Sequence, residues 1–523
     1  MVASESFDDI VVGAGTAGAV VAARLSEDGS RRVALVEAGP HYATREQTPA
    51  DLLNGNAMSL ARHGWGLSAR LTADRRTALP QGKVTGGSSA IGNTVMIRAT
   101  PADLDEWAAL GNPAWSWDES LPRLRALEDD LDFGADPHHG TGGPIPVRRW
   151  RPEELTTVQR LFLDGCLEAG HPYAADHNHP LSTGVGPIPS NRRDARERVS
   201  TAMAYLWPAV DRPHLTVVPD ALVDRVLIED GAVRGVRILE GDTERVLTAR
   251  RVVLAAGAIG SPAVLLRSGV GPAGHLAELG VPVRADLPGV GGGLVDQPRI
   301  GVFLAPRPGA ADERASTGQI VLRTTAPAAA AGTGTERFND MYYAMVNHFN
   351  LAHHFPRLRA DAGTDGVFGI MAVVRRPHSR GRVTLTSADP RTAPHVDLGY
   401  LTDPRDHDLF AEAVRTCWQL ANSAGIGAQA ERVVALDEKA VHDEERLREY
   451  VGTTVDTAFN PAGTLRMGPA DDPDAVVDQF GAVRGVTGLH VADASVMPSM
   501  VCANTALTTV LIGERIAEAL REG

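Results

Sequence analysis

The chain has 523 residues, with 51 Lys and Arg against 65 Asp and Glu, a formal net charge of −14. Its 43% hydrophobic and 22% charged content is that of an ordinary globular protein of about three or four domain equivalents, which excludes disorder for most of the length. An acidic surplus with no basic run argues against nucleic acid and anionic membrane as partners, and no apolar run reaches the ~20 residues of a membrane-crossing helix. The three cysteines, Cys166, Cys417 and Cys502, give neither a disulfide framework nor a CxxC metal pattern and read as buried thiols. The amino-terminus has no basic stretch of the kind that opens a secretory signal, so a cytoplasmic location is expected.

In chain order, residues 8–12 read as a short apolar strand, 13–18 as a glycine turn, 19–26 as a helix and 32–37 as a β-branched strand, a βαβ unit at the start. Residues 215–298 alternate strand patterns at 215–218, 225–228, 234–239 and 251–255 with a helix at 261–268, and read as more of the same sheet. Residues 300–385 differ in kind. Their runs are rich in aromatics and His, as expected of an antiparallel sheet facing a pocket. Residues 326–335 form an Ala/Gly/Pro-rich loop, and the end of the chain holds a strand at 489–492 and a helix at 505–521. The fold class expected is α/β, α+β overall: a Rossmann-like domain from 1–135, 200–298 and 451–523, and a substrate domain from 136–199 and 299–450.

Gly13-Ala14-Gly15-Thr16-Ala17-Gly18 is G-x-G-x-x-G directly after a strand and opening a helix, where backbone N–H groups can hold a pyrophosphate. Glu37, followed by Ala38, ends the second strand 19 residues after Gly18, the place of a carboxylate that accepts from an adenosine ribose and disfavours a 2′-phosphate. A second glycine-rich loop, Gly82 to Ser89, contains Val84, Gly86, Gly87 and Ser88, and a double phosphate cradle favours FAD over NAD.

On five blocks the chain resembles the glucose–methanol–choline (GMC) family of FAD oxidoreductases over nearly its whole length. They are GAGTAG at 13–18; QGKVTGGSSA at 81–90, with Trp65 upstream; EWAALGNPAWSWDESLP at 106–122; VVLAAGAIGSPAVLLRSGVGP at 252–272; and NPAGTLRMG at 460–468 with VADASVMPSMVCANTALTT at 491–509. The resemblance implies that the second loop and the residues after it, Gly92, Asn93, Thr94 and Val95, run along the flavin. It implies that the segment near Val223 meets the adenine side and that Asp493-Ala494 meets the ribityl-pyrophosphate. Asn504, Thr505 and Ala506 would then open the last helix toward the pyrimidine end, where a helix N-terminus stabilises the negative charge of hydride transfer. The activity implied is hydride transfer from an alcohol carbon to flavin N5, with a small-molecule substrate, O2 as one candidate electron acceptor, and no metal.

The chain departs from the family pattern at the site itself. Asn460 stands where relatives carry a catalytic His, and an amide orients an oxygen but cannot act as a general base. The second active-site position is Asn504. Ile91 stands where some relatives bond the flavin covalently, so FAD is expected to be non-covalent. Gly293 and Gln297, for Asn and His, read as scaffold drift. A replacement base is expected on the strand-like run 341–348, where alternation sets Tyr342, Ala344, Val346 and His348 on one face; His348 is the first candidate, and His353 and His354 read as parts of a lid. Two alternatives stay open: a lyase or decarboxylase-type member with non-redox or photochemical FAD, and a non-catalytic flavin-binding relative.

Overall fold

The computed structural model describes residues 5–60, 62–327, 338–351, 359, 363–364 and 366–522. Residues 328–335 of the Ala/Gly/Pro-rich stretch, and His353 and His354, lie outside them.

A seven-stranded sheet begins with the Glu5–Val12 strand, whose Ile10, Val11 and Val12 are buried on both faces, the continuous apolar run of a central parallel strand. It pairs in parallel with Val33–Val36 on one side and Thr243–Leu254 on the other; Leu215–Val218 continues the first side, and Leu489–Val491 pairs in parallel with Thr243–Leu254. Ala232–Glu240 and Ala221–Glu229 extend the sheet antiparallel, so the predicted single sheet is present but mixed. Between the first two strands, the Gly18–Leu25 helix packs on the final helix, Thr505–Glu522. Small residues allow that approach: a Cβ on Gly513 would lie 3.1 Å from Ala17 O.

The second large sheet is antiparallel throughout. Its order is Ala430–Val434, Pro298–Pro306, Gly366–Val374, Met341–Asn350, Ile320–Thr324 and Gly184–Pro187, with Asp456–Thr457 paired to Pro298 and Arg299. One face, carrying Met341, Tyr343 and Met345, packs into a core under the Arg405–Ala421 helix. The opposite face presents Tyr342, Ala344, Val346 and His348 to a cavity, the alternation expected from the sequence. Cys166, Cys417 and Cys502 are free and buried, and burial pushes the thiols up. Among the described residues no helix is long and apolar enough to cross a membrane.

Candidate active site

The two glycine loops form one wall. Gly13 leaves the first strand with φ +93°, its N–H donating to Val36 O at 2.8 Å, and a Cβ there would come within 2.7 Å of Ala255 O. Gly87, at φ +51°, faces the first loop so closely that a Cβ would lie 2.6 Å from Gly15 Cα. The Gly86 N–H donates to Ala14 O at 2.7 Å and ties the loops together. Two segments read separately in the sequence thus make a single surface of backbone.

Two buried carboxylates brace this wall. Glu37 accepts from the N–H groups of Ala14 (2.9 Å) and Gly39 (2.8 Å). Burial pushes its carboxyl up against the pull of those donors and of Lys83. Asp493 accepts from Gly257 N–H (2.9 Å), the Ser261 hydroxyl (2.5 Å) and Ser495 N–H (2.8 Å), and burial likewise pushes it up.

A cavity of about 840 Å³ runs from this wall to the roof sheet. Its lining includes Gly13, Gly15, Thr16, Ala17, Glu37, Ala38, Trp65, Gly87, Ser88, Gly92, Asn93, Thr94, Val95, Val223, Asp493, Ala494, Asn504, Thr505 and Ala506. Three residues expected at the cofactor do not line it. Gly18 lies behind the turn, where a Cβ would come within 1.8 Å of Gly13 O; Val84 is fully buried in a small apolar cluster; and Gly86 is spent on joining the loops. Trp65 stands at the rim, 40% exposed, under the Lys83 ammonium at 5.1 Å.

At the other end the lining is made of side chains. Asn460 follows Phe459, a non-glycine residue at φ +66°, a strained conformation that the surroundings hold in place. Asp296 does much of the holding: its carboxylate accepts from the N–H groups of Asn460 (2.7 Å) and Gln297 (2.8 Å), the Tyr400 hydroxyl (2.6 Å) and the Thr457 hydroxyl. The Asn460 Nδ2 donates to Gln297 Oε1 at 3.0 Å, and its Oδ1 accepts from the Thr505 hydroxyl at 3.3 Å. Gln297 Oε1 also accepts from Arg375 Nη1 (2.6 Å), and Arg375 Nη2 donates to Asn504 Oδ1 (3.1 Å). Asn460 and Asn504 therefore belong to one network with Gln297 and Arg375 between them.

One sequence reading needs correcting here. Gln297 is not scaffold drift: it is fully buried, and its Nε2 donates to Val501 O (3.0 Å), Ala503 O (2.9 Å) and Arg375 O (3.3 Å), so it fixes both the loop before the last helix and the Asn460 amide. His348 lines the same cavity as Asn460 and Asn504, and the ring of its neighbour Phe349 shares the Arg299 guanidinium with the ring of Phe459. Sequence reasoning missed Arg375. Its signal was an Arg directly after the apolar Gly366–Val374 strand, which reads equally well as a surface charge.

The fold and the geometry agree with what known proteins show. Sequence profiles described as GMC oxidoreductase match residues 7–299 and 377–513. The chain belongs to the GMC oxidoreductase family. It is 36% identical to 5-(hydroxymethyl)furfural oxidase of Methylovorus sp. (strain MP688), covering 98% of each chain, and 35% identical to choline oxidase of Arthrobacter globiformis, covering 98% of this chain and 94% of the relative. Pyridoxine 4-oxidase from Mesorbium loti superposes with a TM-score of 0.89 at 28% identity over 99% of each chain. As a GMC oxidoreductase the protein is a flavoprotein, and the residues present fit FAD. The cradle has no room for a Cβ on Gly87, and one continuous cavity joins the glycine turn, Glu37 and Val223 to the N-terminus of the last helix.

Proposed function

We propose that this GMC oxidoreductase oxidises the CH–OH carbon of a small organic alcohol, with FAD held non-covalently and O2 as one candidate for its reoxidation. When bound, FAD supplies the hydride acceptor. The observation that carries the reading is the meeting, in one cavity, of the fused glycine loops with the Asn460–Gln297–Arg375–Asn504 network. Non-covalent binding is supported by Ile91, a side chain without a nucleophile that packs with Leu52, Val84 and Ala90 at the cavity wall. The working units are those expected from the sequence, 1–135, 200–298 and 451–523 for the cofactor, and 136–199 and 299–450 for the substrate.

In this reading the asparagines orient the substrate oxygen and do not take its proton. Asn460 is fixed for that role by Gln297 and Thr505. Asn504 lies at the start of the Thr505–Glu522 helix, whose positive end favours negative charge in the cavity. The roof strands bring Tyr342, Val346 and Met371 over the site and exclude water. The hydroxyl proton passes to a base on the roof, for which His348 in the same cavity is the candidate; His348→Ala should then slow flavin reduction by about 100-fold, and an unchanged rate would exclude it.

A donor deuterated at its carbinol carbon tests the reading: it should bleach the oxidised flavin anaerobically several-fold more slowly than the protiated donor, since C–H cleavage is the step observed. Turnover of a substrate with no bleaching at all would favour a lyase or decarboxylase-type enzyme, and tight flavin binding with no turnover a non-catalytic relative.

A further inference from the structure

The substrate end of the cavity holds a guanidinium with no carboxylate opposite it. Arg375 is 2% exposed and lines the cavity. Its side-chain partners are neutral: Gln297 Oε1, Asn504 Oδ1 and the ring of Tyr342. Its Nε–H is buried without a hydrogen-bond partner. Of the five N–H groups of a guanidinium, the two bonds to Gln297 and Asn504 use two.

Several other deep arginines are paired with carboxylates, while Arg192, Arg198 and Arg323 are held by carbonyl and hydroxyl oxygens and do not line the cavity. Arg299, on the same roof sheet, meets Asp456 at 3.0 Å; Arg98 meets Glu128, and Arg149 meets Asp130 and Asp176. Among the described residues the cavity is lined by two acids, Glu37 and Asp493, and both are occupied at the cofactor end by their own N–H and hydroxyl donors. Burial brings Arg375 down to about 10, so it stays charged at neutral pH. A buried cation without a counter-charge is unfavourable, and an anion entering the cavity relieves it. The N-terminus of the Thr505–Glu522 helix, adjoining Asn504, adds positive potential at the same place.

We propose that Arg375 anchors a carboxylate of the substrate, so that the alcohols taken are hydroxy acids rather than neutral or cationic alcohols. This rests on the alcohol-oxidising reading above. The planar fork of donors suits a carboxylate, and the carbinol carbon beside it is the one oxidised. With FAD bound, the flavin would accept the carbinol hydride, a base of the cavity would take the hydroxyl proton, and the carboxylate would leave unchanged on a keto or aldehyde acid.

The test uses the FAD-loaded protein and probes that cannot be oxidised at a carbinol carbon. Acetate and its neutral isostere acetamide are titrated while the flavin absorption band is followed. Acetate is expected to bind roughly tenfold or more tighter than acetamide. Arg375→Met should lose that preference with FAD content unchanged, and Arg375→Lys should keep part of it. Equal affinities of the wild type for acetate and acetamide, or undiminished acetate binding by Arg375→Met, would overturn the proposal. Should Arg375→Met fail to fold or load flavin, the wild-type acetate-to-acetamide ratio decides alone. Acetate binding without oxidation of any alcohol would sink only the alcohol-oxidising reading; oxidation of neutral alcohols without a carboxylate preference would sink only the anchor.

Discussion

At the cofactor end of the cavity the wall is largely backbone: two glycine loops in mutual contact, braced by Glu37 and Asp493 through N–H and hydroxyl groups. At the substrate end it is side chains: two amides from loops, a third from the start of the roof sheet and a guanidinium from the end of another strand, each holding the next. Backbone cradles tolerate almost no added atom, because neighbouring chains already touch. Side-chain networks instead depend on every donor finding its acceptor, and they can be retuned one residue at a time.

The difference should show first in Gly87→Ala. The new Cβ would lie 2.6 Å from Gly15 Cα at a backbone φ of +51°, so one wall of the cradle must move. We expect FAD affinity to fall by about 100-fold or more, read from the flavin content of the purified protein and by titration of the apoprotein. A variant with full flavin occupancy would break the claim that the loops touch because the cofactor needs them to.

Gln297→Leu strikes the other end. It removes the acceptor shared by Asn460 and Arg375 and leaves Val501 O and Ala503 O without their donor. With unsatisfied buried groups worth about 1–3 kcal/mol, kcat should fall roughly 10–100-fold while FAD stays bound. Loss of FAD before loss of rate would show that the two ends are not separable.

His139 lies in neither end and reports on the frame. Burial disfavours its charge, but hydrogen bonds to Asp130, Asp176 and Glu128 prevail and raise it to about 10. The folded value lies above the unfolded one near 6.5, so its contribution is fully present below pH 6.5 and is lost as pH rises through about 10. Melting temperature should therefore decline over that window, and His139→Gln should be less stable at pH 6.5 with a flatter decline.

The same contrast explains how much was legible in the sequence. Gly13 to Gly18 and Glu37 carry their meaning locally, because strand, turn and helix follow one another and backbone geometry demands glycine. The roof strand was readable from alternation, and the Thr505–Glu522 helix from its opening residues and apolar period. Arg375 and Gln297 were not readable. A charge after a strand, or an amide in place of an imidazole, takes its role from what tertiary packing sets opposite, here Asn504 and Asn460 from near the carboxy-terminus.

The most direct test of the central claim is an anaerobic titration of the FAD-loaded protein with a panel of alcohols and hydroxy acids, following the visible flavin band. The account predicts that at least one member bleaches the band stoichiometrically and yields the matching carbonyl compound. A panel that leaves the flavin fully oxidised, while the protein turns over one of its members to another product, would contradict it.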